Sequence, residues 1–166
     1  MEMKGYDKID GNYRYLLGLK WDVNLPQVTF VMLNPSKANA SRSDPTFTRC
    51  INFAKSWKQY GSLEVVNLFA YIATKPADLG QVDDPVGAKN NYYIELSTQR
   101  AELIILAWGC GAGKHTRIKN RDQEVLSLIS GHKAIYCLKL TKKGHPHHPR
   151  GLRKNIEPII FPFAHR

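Results

Sequence analysis

The stretch Val28-Thr29-Phe30-Val31-Met32-Leu33-Asn34-Pro35-Ser36-Lys37 organises the fold that this chain predicts. Its first half is a run of β-branched and apolar residues, which indicates a buried strand. The run stops at a small polar turn, where Pro35 biases Asn34 towards extended or turn geometry. Open α/β sheets bind ligands beyond the carboxyl ends of their strands. We therefore expect Asn34, Pro35 and Ser36 to form the floor of a site.

The rest of the chain alternates predicted strands with predicted helices. A period-two pattern over residues 13–21 favours a strand with one strongly apolar face. Asp44-Pro45 and Asp84-Pro85 each predict a capped helix start, the second helix running to about Arg100. Further strands are predicted over 63–68, 103–108 and 134–138, a helix over 121–129, and an edge segment over 156–161. This order predicts one domain over residues 1–166, a three-layer α/β/α sandwich with a mainly parallel central sheet, in which residues 1–12 are loosely ordered.

The composition predicts a globular protein. The chain has 166 residues and is 43% hydrophobic, which is enough to bury a core without disulfides or metals. No apolar run approaches the roughly 18 residues that a membrane span needs, and no signal peptide opens the chain, so we expect no membrane partner. The three cysteines are widely spaced and form no CxxC pair, which favours a reduced, cytoplasmic setting.

The charge is strongly basic. Lys and Arg number 24 against 14 acidic residues, a formal net charge of +10. No acidic residue lies between Val125 and Ile156, so the positive charge is concentrated late in the chain. This excess predicts a polyanionic partner, either a nucleic acid or a nucleotide phosphate, although a solvated basic surface would have the same composition. The resemblance described below favours DNA. The predicted contacts to the nucleic-acid backbone are Lys114, Arg117, Lys142, Lys143 and Arg150.

Loops that follow the predicted strands carry the candidate site residues. They are Asn34-Pro35-Ser36, Asn67-Leu68-Phe69, Trp108-Gly109 and His145-Pro146-His147-His148-Pro149. In a parallel sheet these loops converge at one edge. The amides of Asn34 and Asn67 can donate and accept hydrogen bonds at once, so they could orient a water or contact a base edge. Purely structural hydrogen bonds are the alternative role for both.

Aromatic and histidine side chains could complete such a site. Phe47 and Phe69 are candidates for stacking on a base, with core packing as the alternative, as it is for Trp108. The late histidine- and proline-rich loop is flanked by cations. It suits contact with a phosphate or with a developing negative charge.

Several other site classes are disfavoured. Gly109 to Lys114 resembles a phosphate-binding loop, but its first glycine is one residue too close, and His115 stands where Ser or Thr would bind magnesium. No carboxylate or cysteine lies near the late histidines in sequence, so no metal is expected, and no other cofactor is indicated. Nothing around the cysteines indicates an activated thiolate.

The motifs together carry a resemblance. In order they are Leu33-Asn34-Pro35-Ser36-Lys37-Ala38, Asp44-Pro45-Thr46, Val66-Asn67-Leu68-Phe69, Ala107-Trp108-Gly109 and Gly144-His145-Pro146-x-His148-Pro149. This set resembles a bacterial and phage family catalogued only as a domain of unknown function. More remotely, the order of motifs is similar to the uracil-DNA glycosylase superfamily of α/β enzymes.

The remote resemblance implies a metal-independent hydrolase that cleaves the N-glycosidic bond of a flipped or modified base. It implies that Asn34 orients the attacking water, Asn67 contacts the Watson–Crick edge of the base, and His145 stabilises charge on the departing base. The expected substrate contacts are Pro35, Ser36, Phe47, Asn67, Phe69, Trp108, Gly109 and His148. The sequence departs from that superfamily where Met32 and Ser36 replace glycines. Two alternatives stay open: a non-catalytic nucleic-acid or nucleotide-binding module, and a hydrolase or transferase acting on a free nucleotide.

Overall fold

A computed structural model describes residues 3–36 and 44–162, and these residues form a mixed sheet flanked by helices. Lys37 and Ala38 of the first motif lie outside the described residues. The strands are β1 (Lys4–Asp10), β2 (Tyr13–Lys20), β3 (Gln27–Met32), β4 (Ser62–Asn67), β5 (Leu103–Leu106), β6 (Ile135–Cys137) and β7 (Ile159–Ile160). The helices are α1 (Pro45–Ser56), α2 (Asn90–Gln99) and α3 (Arg121–Ile129), with a 3₁₀ helix at Pro76–Gln81.

The strand order across the sheet is β1-β2-β4-β3-β5-β6-β7. The four central strands, β4, β3, β5 and β6, are parallel, whereas β1, β2 and β7 are antiparallel strands at the flanks. The predicted α/β class is confirmed, with a parallel centre and antiparallel edges. Strand β3 lies between β4 and β5 in the sheet. The chain runs from β3 to β4 on one side of β3, and then crosses to β5 on its other side. The carboxyl ends of β3 and β5 therefore lie at a topological switch point, where α/β sheets form ligand crevices.

Helices cover both faces of the sheet. Strand β3 is buried along its whole length, as its apolar sequence predicts. On one face Phe30 packs in a cluster with Phe53 of α1. On the other face Val31 belongs to a cluster with Ile94 of α2 and Val125 of α3. Since alternate residues of a strand point to opposite faces, β3 contributes to both cores.

One predicted helix start is correct and the other is wrong. Asp44 caps α1, because its Oδ1 accepts hydrogen bonds from the backbone N–H groups of Thr46 (2.9 Å) and Phe47 (3.2 Å). Asp84 instead closes a turn, in which its Oδ1 accepts from the backbone N–H of Gly87 at 3.0 Å. Gly87 has a φ of 92°, which a helix cannot accommodate, so α2 begins only at Asn90.

The start of the chain is more ordered than predicted. Residues 4–10 form β1, which pairs with β2, so the expectation of a loose start is wrong for this segment. The pairing has a β-bulge: Lys8 lies opposite Leu16 and Ile9 lies opposite Arg14, which leaves Tyr15 as the extra residue. A bulge changes which side chains share a face. The simple alternation predicted over residues 13–21 is therefore interrupted at Tyr15.

Two further predictions concern membranes and cysteines. None of the helices in the described parts of the chain is long and apolar enough to cross a membrane. Cys50 and Cys137 are buried free thiols and Cys110 is an exposed one.

Candidate functional site

A pocket of about 190 Å³ opens at the carboxyl ends of the parallel strands, against the start of α1. Strand β3 runs directly into its wall, and β4 and the segment after β5 reach it from either side. The predicted site residues that line the pocket are Asn34, Pro35, Ser36, Phe47, Asn67, Trp108 and His148. Segments that are far apart in sequence therefore meet at the switch point of the sheet.

Asn67 is the most informative residue of the pocket. It is the last residue of β4 and is only 4% exposed. Its backbone carbonyl accepts a hydrogen bond from Asn90, but its side-chain carboxamide makes none to any described residue. The residue is buried as a whole, but its Oδ1 and Nδ2 are not among the buried polar atoms that lack a partner, so they face the open space of the pocket. The Asn67 amide is thus available to a bound ligand.

Asn34 is half-buried and has a partly structural role. Its Nδ2 donates to the backbone carbonyls of Ala73 (2.9 Å) and Pro35 (3.0 Å), which ties the end of β3 to the segment after β4. The side-chain Oδ1 makes no hydrogen bond to a described residue. Asn34 can therefore accept a hydrogen bond from a water or ligand, while its donors are already used.

Asp44 is a site residue that sequence reasoning identified only as a helix cap. It lines the pocket, and among residues 3–36 and 44–162 it is the only carboxylate to do so. Its Oδ1 caps α1, and its Oδ2 accepts a hydrogen bond from the Ser36 hydroxyl at 3.4 Å. The Asp44-Pro45 pair could have predicted this position. A helix that follows a parallel strand begins at the edge of the sheet where that strand ends, so its cap lies near the site.

Arg14 is the second site residue that the sequence analysis missed. It is 3% exposed and lines the same pocket as Leu17. Because the bulge makes Tyr15 an extra residue, Arg14 and Leu17 lie on the same face of β2 although they are three residues apart. Burial lowers the pKa of its guanidinium, and the carboxylates of Asp7 and Asp44 act in the opposite direction. Strict alternation would have placed Arg14 on the opposite face from Leu17, so the sequence pattern did not predict that Arg14 lines the pocket.

The late histidine loop presents His148 to the pocket. The Nδ1 of His148 accepts a hydrogen bond from the backbone N–H of Arg150 at 3.0 Å, which leaves the proton on Nε2. Burial lowers the pKa of His148, and the charge of Arg150 lowers it further. The neutral imidazole can therefore donate a hydrogen bond through Nε2.

His145, predicted as catalytic, is not brought to the pocket with Asn34 and Asn67. It lines a separate, smaller cavity with Asp122 and Lys143. The reason is a tight turn, in which the carbonyl of His145 accepts from the backbone N–H of Thr141 at 2.8 Å. That turn directs His145 towards α3.

Two further predicted contacts are structural. Phe69 is 1% exposed and packs within the core on the α2 and α3 face rather than along the pocket. Gly109 is not a lining residue either. Its φ of 72° favours glycine, and its N–H donates to the carbonyl of Pro146 at 2.7 Å. Gly109 therefore fastens the late loop to the end of β5, beside His148.

The predicted backbone-contacting cations lie outside the pocket. All of them are exposed, and none lines it: Lys114, Arg117, Lys142, Lys143 and Arg150. Among the residues that the structure describes, the fixed charges that line the pocket are those of Arg14 and Asp44. Within the described ranges no group of three or more His, Cys, Asp or Glu residues could hold a metal ion.

Comparison with known proteins places the chain in a family without supplying an activity. No significant match was found among curated proteins or among solved structures. A family model described as "Protein of unknown function (DUF1643)" matches residues 14–150. This range includes every pocket residue from Arg14 to His148. Because the match spans most of the chain, the protein belongs to the family described as Protein of unknown function (DUF1643).

Proposed function

We propose that this protein acts on DNA and hydrolyses the N-glycosidic bond of a flipped or modified base, with an architecture like that of the uracil-DNA glycosylases. The observation that carries the proposal is the Asn67 carboxamide, which lines a small pocket with aromatic walls and makes no hydrogen bond to a described residue. At about 190 Å³ the pocket is smaller than the roughly 300–1,000 Å³ typical of sites for drug-sized ligands. A single base suits such a pocket better than a whole nucleotide.

Recognition of the base would use one polar and two aromatic side chains. The Asn67 amide offers a donor and an acceptor side by side, which matches the edge of a base that carries both groups. Phe47 and Trp108 contribute apolar ring surface to the same pocket. A bound base would satisfy the Asn67 amide, so the unpaired amide of the free protein disfavours ligands that lack hydrogen-bonding groups.

The chemistry would use Asp44, Asn34 and His148. Asp44 and the Oδ1 of Asn34 accept hydrogen bonds from a water, whose oxygen forms a bond to C1′ of the sugar. The C1′–N bond breaks, its electron pair leaves with the base, and the proton of the water passes to Asp44. The Nε2–H of His148 donates to the departing base and stabilises its developing negative charge.

The test is an assay for abasic sites. Pure protein is incubated with single-stranded and duplex oligonucleotides that carry uracil, hypoxanthine or an oxidised base, and abasic products are revealed by alkaline cleavage. We expect product from at least one of these substrates and none from an Asp44→Asn variant. Absence of product across the set, with intact binding, rejects catalysis and favours the non-catalytic binding module.

One observation favours a second candidate, a hydrolase or transferase acting on a free nucleotide. The five cations predicted to contact a nucleic-acid backbone do not line the pocket, whereas the buried Arg14 does. A buried guanidinium suits a single anionic group better than a polymer backbone. Turnover of a nucleoside monophosphate, followed by chromatography of the products and reduced by Arg14→Met, would support this candidate. Turnover of oligonucleotides alone would reject it.

A further inference from the structure

Two buried polar side chains hold the end of β4 from the opposite side of the pocket. Asn90, the first residue of α2, donates through Nδ2 to the carbonyls of Asn67 (2.9 Å) and Leu68 (3.1 Å). Arg121, the first residue of α3, donates through Nε to the carbonyl of Leu68 at 2.8 Å. Two helices thus converge on two consecutive carbonyls, one of which belongs to Asn67.

Both side chains are almost completely buried. Asn90 is 0% exposed and Arg121 is 1% exposed, and Arg121 is among the largest fully buried side chains of the described residues. Arginine is almost never fully buried unless it is paired. The ion pair of Arg121 with Glu124 satisfies Nη1, but burial still lowers the pKa of the guanidinium.

Neither side chain is fully satisfied by its position. The Oδ1 of Asn90 and the Nη2 of Arg121 are buried and make no hydrogen bond to a described residue. A half-satisfied buried polar group is costly for stability compared with an apolar core. The bonds that both groups do make share one target, the backbone at Asn67 and Leu68. The two side chains therefore act together on that backbone.

We infer that Asn90 and Arg121 are positioning residues for Asn67. They fix the backbone at the end of β4, and with it the position of the Asn67 Cβ from which the carboxamide extends into the pocket. Because the carboxamide has no hydrogen bond to a described residue, its placement depends on that backbone. It rests on the proposed function only in making the Asn67 amide the group that binds the base.

The first test is independent of activity. The side-chain amide signals of Asn67 are recorded by NMR in ¹⁵N-labelled protein and assigned by their loss in Asn67→Leu. We expect Asn90→Ala and Arg121→Met to shift or broaden these signals, and Arg121→Lys to restore them in part. Asn91→Ala is the matched control, because Asn91 is the neighbouring residue of α2 and has no bond to β4, and it should leave them in place. If Asn90→Ala does not fold, the same signals are recorded in Asn90→Ser.

The second test uses whichever oligonucleotide the wild-type protein cleaves. Misplacing a substrate-contacting group by about 1 Å can cost about 100-fold in rate, so kcat/KM should fall by that order in Asn90→Ala and change little in Asn91→Ala. Folded variants with unchanged Asn67 signals and unchanged kcat/KM would overturn the inference. Shifted signals with no cleavage by the wild type would reject the proposed function and leave the positioning role standing.

Discussion

At the scale of single residues, the pocket combines groups that stability alone does not explain. The Asn67 carboxamide makes no hydrogen bond to a described residue, and the guanidinium of Arg14 lies nearly buried at the pocket. Functional sites often hold polar groups where apolar ones would be more stable, because a bound ligand uses them. Stability and activity should therefore respond differently when Asn67 is replaced.

Replacing Asn67 with leucine should separate these two effects. Asn67→Leu keeps a similar volume and removes an amide that bonds to no described residue, so we expect the free energy of unfolding to change by less than about 1 kcal/mol. Base cleavage, or binding of a base-bearing oligonucleotide, should fall by at least about 100-fold. Urea denaturation and the abasic-site assay measure the two quantities. A loss of stability by more than about 1 kcal/mol would show that the amide is structural.

His148 should make stability depend on pH in a defined window. Its pKa in the folded protein lies below the ordinary value of 6.5, because of burial and the charge of Arg150. Protonation therefore favours the unfolded chain, so the contribution of His148 is fully present above about pH 6.5 and is lost as the pH falls through the folded pKa. The free energy of unfolding of wild type, minus that of His148→Gln, should decrease from pH 7 towards pH 5. A difference that does not vary with pH would contradict the lowered pKa.

At the scale of elements, two features bring charge into the pocket. The bulge in β2 aims Arg14 at the face of Leu17, and the first turn of α1 holds Asp44 by the backbone N–H groups of Thr46 and Phe47. Asp44 thus belongs both to the helix and to the pocket. The two roles can be separated because asparagine caps a helix about as well as aspartate.

A pair of substitutions at Asp44 makes that separation. Asp44→Asn should retain the cap and leave the free energy of unfolding within about 0.5 kcal/mol, while Asp44→Ala should lower it by about 1 kcal/mol. Both variants should lose cleavage by about 100-fold or more, since neither can take a proton from water. Thermal or urea denaturation and single-turnover cleavage provide the measurements. Full activity in Asp44→Asn would reduce Asp44 to a cap.

At the scale of the whole molecule, exposed cations lie at both ends of the sheet, and only some of them are near the pocket. Lys142 and Lys143 are exposed in the turn that precedes the late loop, whereas Lys4 and Lys20 face each other at the other end of the sheet, beside Ser62. Exposed cations near a base-binding pocket would guide the DNA backbone, and distant cations would add only net charge.

Salt dependence of single-stranded DNA binding distinguishes these cations. Each phosphate contact contributes about 0.7 to the slope of log affinity against log salt concentration. The double variant Lys142→Ala/Lys143→Ala should reduce that slope by about 1.4, and the control Lys4→Ala/Lys20→Ala should leave it nearly unchanged. Fluorescence anisotropy over a range of salt concentrations measures both. Equal reductions would indicate nonspecific attraction by the net charge.

The sequence by itself determined the α/β class, the buried strand β3, the cap of α1 and the meeting of Asn34 with Asn67 at one edge of the sheet. These follow from local patterns: apolar periodicity, capping residues, and the shared direction of parallel strands. Only the tertiary structure decided that Arg14 reaches the pocket, and that of the two late histidines predicted for the site His148 reaches it and His145 does not. A bulge depends on the partner strand, and the direction of a loop histidine depends on hydrogen bonds to residues elsewhere, so neither is encoded in the local pattern. The unpaired amide of Asn67 is likewise visible only once its surroundings are folded.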